Sequence, residues 1–133
     1  MRKVLAFSFW LLAFGFWQGC SSSEPTQEEL AGKAAKAYYD RLLAGDYEGF
    51  LSGKAVVDSV PADYHIQLLA ACEQYKQELD RLHDGVAYIT VSNARKDSTL
   101  QLMQTFLLLS FNDSTKEEII VPMVQQNGEW KMR

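Results

Sequence analysis

The chain has 133 residues, room for one domain and a tail. It is 47% hydrophobic and 23% charged with only three prolines, which is the makeup of a folded chain rather than a disordered one. Its net charge is −4 and it has no cluster of Lys and Arg, which excludes a nucleic-acid binder, because a phosphate backbone is held by such clusters.

The N-terminus reads as a targeting segment. Arg2 and Lys3 precede an uncharged run over residues 4–17, "VLAFSFWLLAFGFW". A bilayer span takes roughly 20 apolar residues, so this run has the length of a signal peptide core rather than of an anchor. Gly19-Cys20 and the polar "SSSE" after it resemble the lipobox of bacterial lipoproteins, with Trp17 and Gln18 in places that the motif usually gives to an aliphatic and a small residue. The expected organisation is a lipoprotein signal peptide over 1–19, a polar tether over 20–27 and one α+β domain over 28–133. Cys20 is then the lipid attachment site and the membrane a partner through that lipid. An ordinary signal with a chance cysteine and an uncleaved anchor are the competing readings. Cys72 is left as the other thiol, expected in the core as a small apolar residue.

Two helices follow. Thr26 and Glu29 match a capping box, and Leu30, Ala34, Tyr38 and Leu42 recur every four residues. Gly45 stands where a helix end favours a left-handed residue, and Asp46 can cap a short turn over "YEGFL". Ser59 and Pro61 suit the start of a second long helix, which is expected over 61–84 and stopped by Gly85. Its apolar stripe reads Tyr64, Leu68, Cys72, Tyr75, Leu79 and Leu82.

The hydrophobic period then changes to two. Residues 86–93, 99–111, 117–125 and 129–133 read as strands, and Asn127-Gly128 is the signature of a two-residue type I′ hairpin. Helices first and a meander of about four strands afterwards make the fold class α+β, two main helices on one face of a curved antiparallel sheet. Through the Asn127-Gly128 turn, Ile119, Val121, Met123, Trp130 and Met132 share the helix-side face. If the "NDSTK" turn has an even number of residues, Leu100, Leu102, Phe106 and Leu108 join them. Met103, Leu107, Leu109, Phe111, Ile120 and Val124 then form an outer apolar patch. That patch is the candidate interface for a homodimer or an envelope protein partner; an odd turn would swap the faces of the long strand. The length of that strand and Pro122 within the next one imply a bulge or a locally free edge.

A helix ending "YYDRLLAGDYEGFL", a longer helix, a curved sheet and the close "VP…NGEWKM" resemble small Bacteroidetes envelope lipoproteins. These carry a domain of unknown function in the nuclear transport factor 2-like (SnoaL-like, cystatin-like) superfamily, related to lumazine-binding-like domains. The resemblance covers residues 28–133. It implies a cone-shaped α+β fold with a pocket between sheet and helices, often dimeric, and no single activity.

Enzymes of that superfamily, such as ketosteroid isomerase-like proteins, place carboxylic acids and tyrosines inside the cone. Here Asp97 and Asp113 lie in turns, Glu117 and Glu118 start a strand and Glu129 follows a hairpin, so no acid is expected mid-strand on the inner face. No catalytic residue is assigned. Asp63, His65 and His83 read as surface residues, and the wide spacing of the histidines gives no metal site and no cofactor. The candidate pocket groups are Tyr38, Tyr64, Tyr75, Gln104 and Trp130, for a small flat organic ligand. The expected function is a lipid-anchored, non-enzymatic binding or interaction domain of the bacterial envelope, with an isomerase- or dehydratase-like use of the pocket as the alternative. Mass spectrometry of the native N-terminus checks the anchor: the expected first residue is a lipid-modified Cys20, and an unmodified Cys20 or an uncleaved chain removes it.

Overall fold

The computed structural model describes residues 24–55 and 61–133. The signal peptide over 1–19, Cys20, the first part of the tether and the Ser59 cap lie outside the described residues. The elements are α1 (Gln27–Leu43), α2 (Tyr47–Leu51), α3 (Ala62–His83), β1 (Val86–Asp97), β2 (Leu102–Phe111), β3 (Lys116–Gln126) and β4 (Glu129–Met132). The strands form one antiparallel meander in the order β1-β2-β3-β4 with the helices on one face, an α+β architecture.

Local chemistry sets the boundaries. The Thr26 hydroxyl accepts from Glu29 N at 3.1 Å and starts α1. Gly45 takes φ +86 behind it, and the Asp46 carboxylate accepts from Gly49 N at 2.9 Å to start α2. Asp84 and Gly85, both at positive φ, turn the chain from α3 into β1. Asn127 and Gly128 sit at φ +56 and +79, as a type I′ turn requires, and Gln126 pairs with Glu129.

The second turn is odd, not even. Ser110 pairs with Lys116, Phe111 N donates to Thr115 O at 2.9 Å, and Asn112, Asp113 and Ser114 form a three-residue loop. Asp113 accepts from Thr115 N at 3.0 Å and Ser114 takes φ +72, the left-handed position of such loops. The odd count inverts the expected faces of β2. Met103, Leu107, Leu109 and Phe111 point at the helices and are buried in the core, while Leu102, Phe106 and Leu108 face outward. The proposed outer patch is thereby corrected: of its six residues only Ile120 and Val124 lie on the outer face. The expected bulge also moves. Register shifts fall in β1, after Val86 and after Val91, while Pro122 pairs regularly with Gln104. The Pro122 carbonyl accepts from Arg133 N at 2.9 Å, so its missing N–H falls where β4 runs out.

Both helices bury only part of the stripe that the spacing suggests. On α1, Leu42 of that stripe is buried and Leu30 is exposed, while the closest contact with the sheet falls to Ala31, Gly32 and Ala35, all buried. A Cβ on Gly32 would lie 2.8 Å from Val91 Cγ1, so small residues are what lets α1 lie directly on β1 and β2. On α3, only Cys72 and Leu79 are buried. Tyr64, Tyr75 and Leu82 of the expected stripe are 52%, 38% and 54% exposed, because α3 packs on α1, α2 and β1 at the margin of the sheet rather than across it. Inside, Thr105 is fully buried and donates to Val121 O at 2.7 Å. Gly53 lies under the Tyr38 ring, whose hydroxyl donates to Trp130 O at 2.9 Å.

Gly32→Ala separates packing from propensity. Alanine inside a helix favours folding by about 1 kcal/mol over glycine. Overpacking a tight interface costs about 1–3 kcal/mol. The expected outcome is net destabilisation in urea titration, and a stabilised variant would refute the close approach of α1 to the sheet.

Candidate functional site: the cleft between α3 and the inner sheet face

Tyr38 and Tyr39 are adjacent on α1 and so point about 100° apart. Tyr38 goes to β4. Tyr39 goes to the space under α2 and α3, where its ring meets Phe50 edge-on at 5.1 Å and 81°. Tyr75 and Cys72, one turn apart on α3, border the same space, and both interact electrostatically with Tyr39. The segment after α2 runs beside β4: Ala55 N donates to Met132 O and Met132 N to Gly53 O, each at 2.6 Å. That pairing brings the Lys54 charge within reach of Cys72. Glu117, opposite Leu109 on the helix-side face of β3, acts on Tyr75. The site is therefore Tyr39, Cys72, Tyr75, Lys54 and Glu117, drawn from α1, α3, the segment after α2, and β3.

The electrostatics of this group are those of a poorly solvated space. Burial pushes the Tyr39 phenol up to about 12, with the neighbouring Tyr75 and Cys72 adding to the shift. Burial also raises the Cys72 thiol, against the opposing pull of the Lys54 ammonium. Tyr75 is raised by burial and then by the Glu117 carboxylate. At neutral pH the two phenols and the thiol are protonated: hydrogen-bond donors, not bases or nucleophiles. The Tyr39 hydroxyl has no hydrogen-bond partner among the described residues.

The pocket groups expected from the sequence do not converge. Tyr75 belongs to the cleft. Tyr38 and Trp130 meet, but through a structural hydrogen bond, with Arg41 and Lys131 at 6.0 and 5.9 Å from the Tyr38 ring centre. Trp130 borders an open groove of about 740 Å³ at the start of α1, with Gln27, Lys96, Met103 and Gln125, and its Nε1 is buried without a partner among the described residues. Tyr64 projects into solvent at the start of α3. Gln104 is on the outer sheet face, where it donates to Asp97 Oδ2 at 3.2 Å; its even position on β2 excludes it from the inner side.

Glu117 is the acid that the sequence reading passed over, because its place at a strand start hid the face it occupies. Tyr39 was hidden beside Tyr38, and Lys54 in a connector with no periodicity. The histidines are tie points. His65 Nε2 lies 2.8 Å from Glu48 Oε1 and joins α3 to α2. His83 stacks on Phe111 at 4.0 Å and places Nδ1 3.0 Å from Asp113 Oδ2, joining the end of α3 to the β2–β3 turn. Among the described residues no group of three or more His, Cys, Asp and Glu side chains is placed to hold a metal ion.

Tyr39 carries a readable signature. Its folded phenol holds the proton more tightly than the ordinary value of 10.0 allows, so the associated stability is complete below pH 10 and falls as pH rises through about 12. Phenolate absorbance should show the last tyrosine ionising through about pH 12, and Tyr39→Phe should remove that last step. Simultaneous ionisation of all the tyrosines in the folded protein would contradict the dry cleft.

No family model matches the sequence, and no curated protein sequence matches it. Among solved structures, a Campylobacter jejuni protein provisionally named an NTF2-like transpeptidase is similar, with a TM-score of 0.61 at 14% identity, over 75% of this chain and 94% of that one. At that identity the likeness speaks of the fold alone. The chain has an NTF2-like α+β fold.

Proposed function

We propose that this protein is held at the bacterial envelope by lipid on Cys20 and that its NTF2-like domain binds a small, weakly polar, flat organic ligand without transforming it. The supporting observation is the protonation of the cleft: Tyr39 and Cys72, the groups best placed for chemistry, are both shifted towards their neutral forms. A half-buried phenol whose hydroxyl makes no hydrogen bond among the described residues is suited to donate to one acceptor on an otherwise apolar ligand, with Phe50 edge-on beside it. The exposed side of α3, Tyr64, Tyr75 and Leu82, leaves an apolar approach to it. The anchor reading rests on the uncharged run before Gly19-Cys20 and the polar stretch after it. A tether from Cys20 to Gln27 reaches at most roughly 25 Å, so the domain would work close to the membrane.

The isomerase- or dehydratase-like alternative has one observation in its favour, Glu117 on the helix-side face near Tyr75. Glu117 is exposed, whereas an acid that serves as a general base in such enzymes is buried inside the cone. Native mass spectrometry of the purified protein tests the proposal. The expected result is a co-purified small molecule that Tyr39→Phe and Tyr75→Ala both weaken and Glu117→Gln leaves bound and chemically unchanged. A protein that is always empty would overturn the binding reading. A bound compound that is converted by the wild type but not by Glu117→Gln would establish the catalytic one.

A further inference from the structure

The two sides of the domain differ in charge. The helices cover one face of the sheet, and among the described residues no layer covers the other. Alternation along the strands puts Tyr88, Arg95, Lys116, Ile120 and Val124 on that outer face. Tyr88 and Ile120 are each 56% exposed. The Arg95 guanidinium lies 5.1 Å from the ring centre of Phe106, which is buried beneath it. Arg133 follows the inward Met132 and falls on the outer side. Lys131 and Glu129 pair with each other at 3.2 Å. Arg95, Lys116 and Arg133 have no ion-pair partner among the described residues. The other acids of this face are tied into the sheet: Glu118 accepts from Ser92 Oγ at 2.8 Å and Asp97 from Gln104 Nε2 at 3.2 Å. The helical side is acidic. On α3, Asp63, Glu73, Glu78 and Asp80 stand against Lys76 and Arg81. Residues 86–133 carry as many Lys and Arg as Asp and Glu, so the chain's excess of acid lies before them.

Exposed tyrosine and isoleucine among unpaired cations is the chemistry of an interfacial membrane contact. Cations attract anionic headgroups, while aromatic and aliphatic side chains enter the headgroup boundary. The point where the domain begins bears on this. Gln27 Oε1 accepts from Gln125 Nε2 at 3.1 Å, so α1 starts beside the end of β3, next to Val124. A tether of at most roughly 25 Å from Cys20 lets either side of the domain reach the membrane. Charge then selects the side, because anionic headgroups repel α3 and attract the outer sheet face. We propose that this face docks on an anionic phospholipid surface, with the exposed side of α3 and the cleft turned to the aqueous side. The proposal rests on the reading of Cys20 as a lipid anchor. The anchor makes the contact intramolecular, so a face too weak to hold a membrane alone still sets the orientation.

The test uses the protein purified with its own N-terminus and reconstituted on vesicles. Cys72 is buried, so Ile120→Cys supplies an accessible thiol for a polarity-sensitive fluorophore, and Glu73→Cys on α3 supplies the control. The Ile120 probe should shift to the blue on vesicles of phosphatidylglycerol and phosphatidylethanolamine and not on phosphatidylcholine alone. The Glu73 probe should read water on both. Arg95→Glu with Lys116→Glu, both exposed positions, should abolish the shift while the protein still floats with the vesicles. So should about 1 M salt, which screens charges beyond roughly 3 Å without altering the chain. Protein that floats with both kinds of vesicle while its Ile120 probe stays in water is anchored without docking; that leaves the face to a protein partner and overturns the proposal. A shift at Glu73 instead, or a shift at Ile120 that survives both charge reversal and salt, overturns it as well. Protein that floats with neither kind of vesicle overturns the anchor reading, and this proposal with it.

Discussion

The close approach of α1 to the sheet is the constraint on which the rest of the structure depends. Ala31, Gly32 and Ala35 leave no side-chain bulk between the helix backbone and β1–β2, so α1 occupies the middle of the inner face. The second long helix is then displaced to the margin. It is held by its neighbours α1, α2 and β1, and near its two ends by His65–Glu48 and by His83 stacked between Phe111 and the Asp113 turn. A helix held in this way cannot bury all of its apolar residues. The side bearing Tyr64, Tyr75 and Leu82 stays open.

A second constraint is the parity of a turn. Side chains alternate with period two, so one residue more or less in the β2–β3 loop exchanges everything on β2 between the core and the outside. The three-residue loop, stabilised by Asp113 and the left-handed Ser114, sends Met103, Leu107, Leu109 and Phe111 into the core. The same parity excludes Gln104 from the inner side, while Glu117 is there because it alternates in step with Ile119, Val121 and Met123 on β3. One local choice of turn thus decides which strand residues can reach a ligand.

The chemistry of the cleft follows from its poor solvation. Removing water from Tyr39 and Cys72 penalises their charged forms, so both hold their protons further above neutral pH than an exposed phenol or thiol would. The single nearby acid, Glu117, remains at the exposed mouth.

Local signals determined much of this protein by themselves. The Thr26 cap, Gly45, Asp46, the Asn127-Gly128 hairpin and the change of period at Val86 are short-range features whose physics is complete within a few residues, and they define the element order and the α+β class. The hairpin face with Ile119, Val121, Met123, Trp130 and Met132 was legible for the same reason, since a two-residue type I′ turn has one register. What only the tertiary structure decided were the quantities that depend on distance across the fold. The stripes α1 and α3 bury were set by how closely α1 meets the sheet. The faces of β2 were set by a loop whose length the sequence leaves ambiguous. The cleft itself, Tyr39 with Cys72, Tyr75, Lys54 and Glu117, joins four separate parts of the chain, and no spacing along the sequence encodes a meeting made by packing.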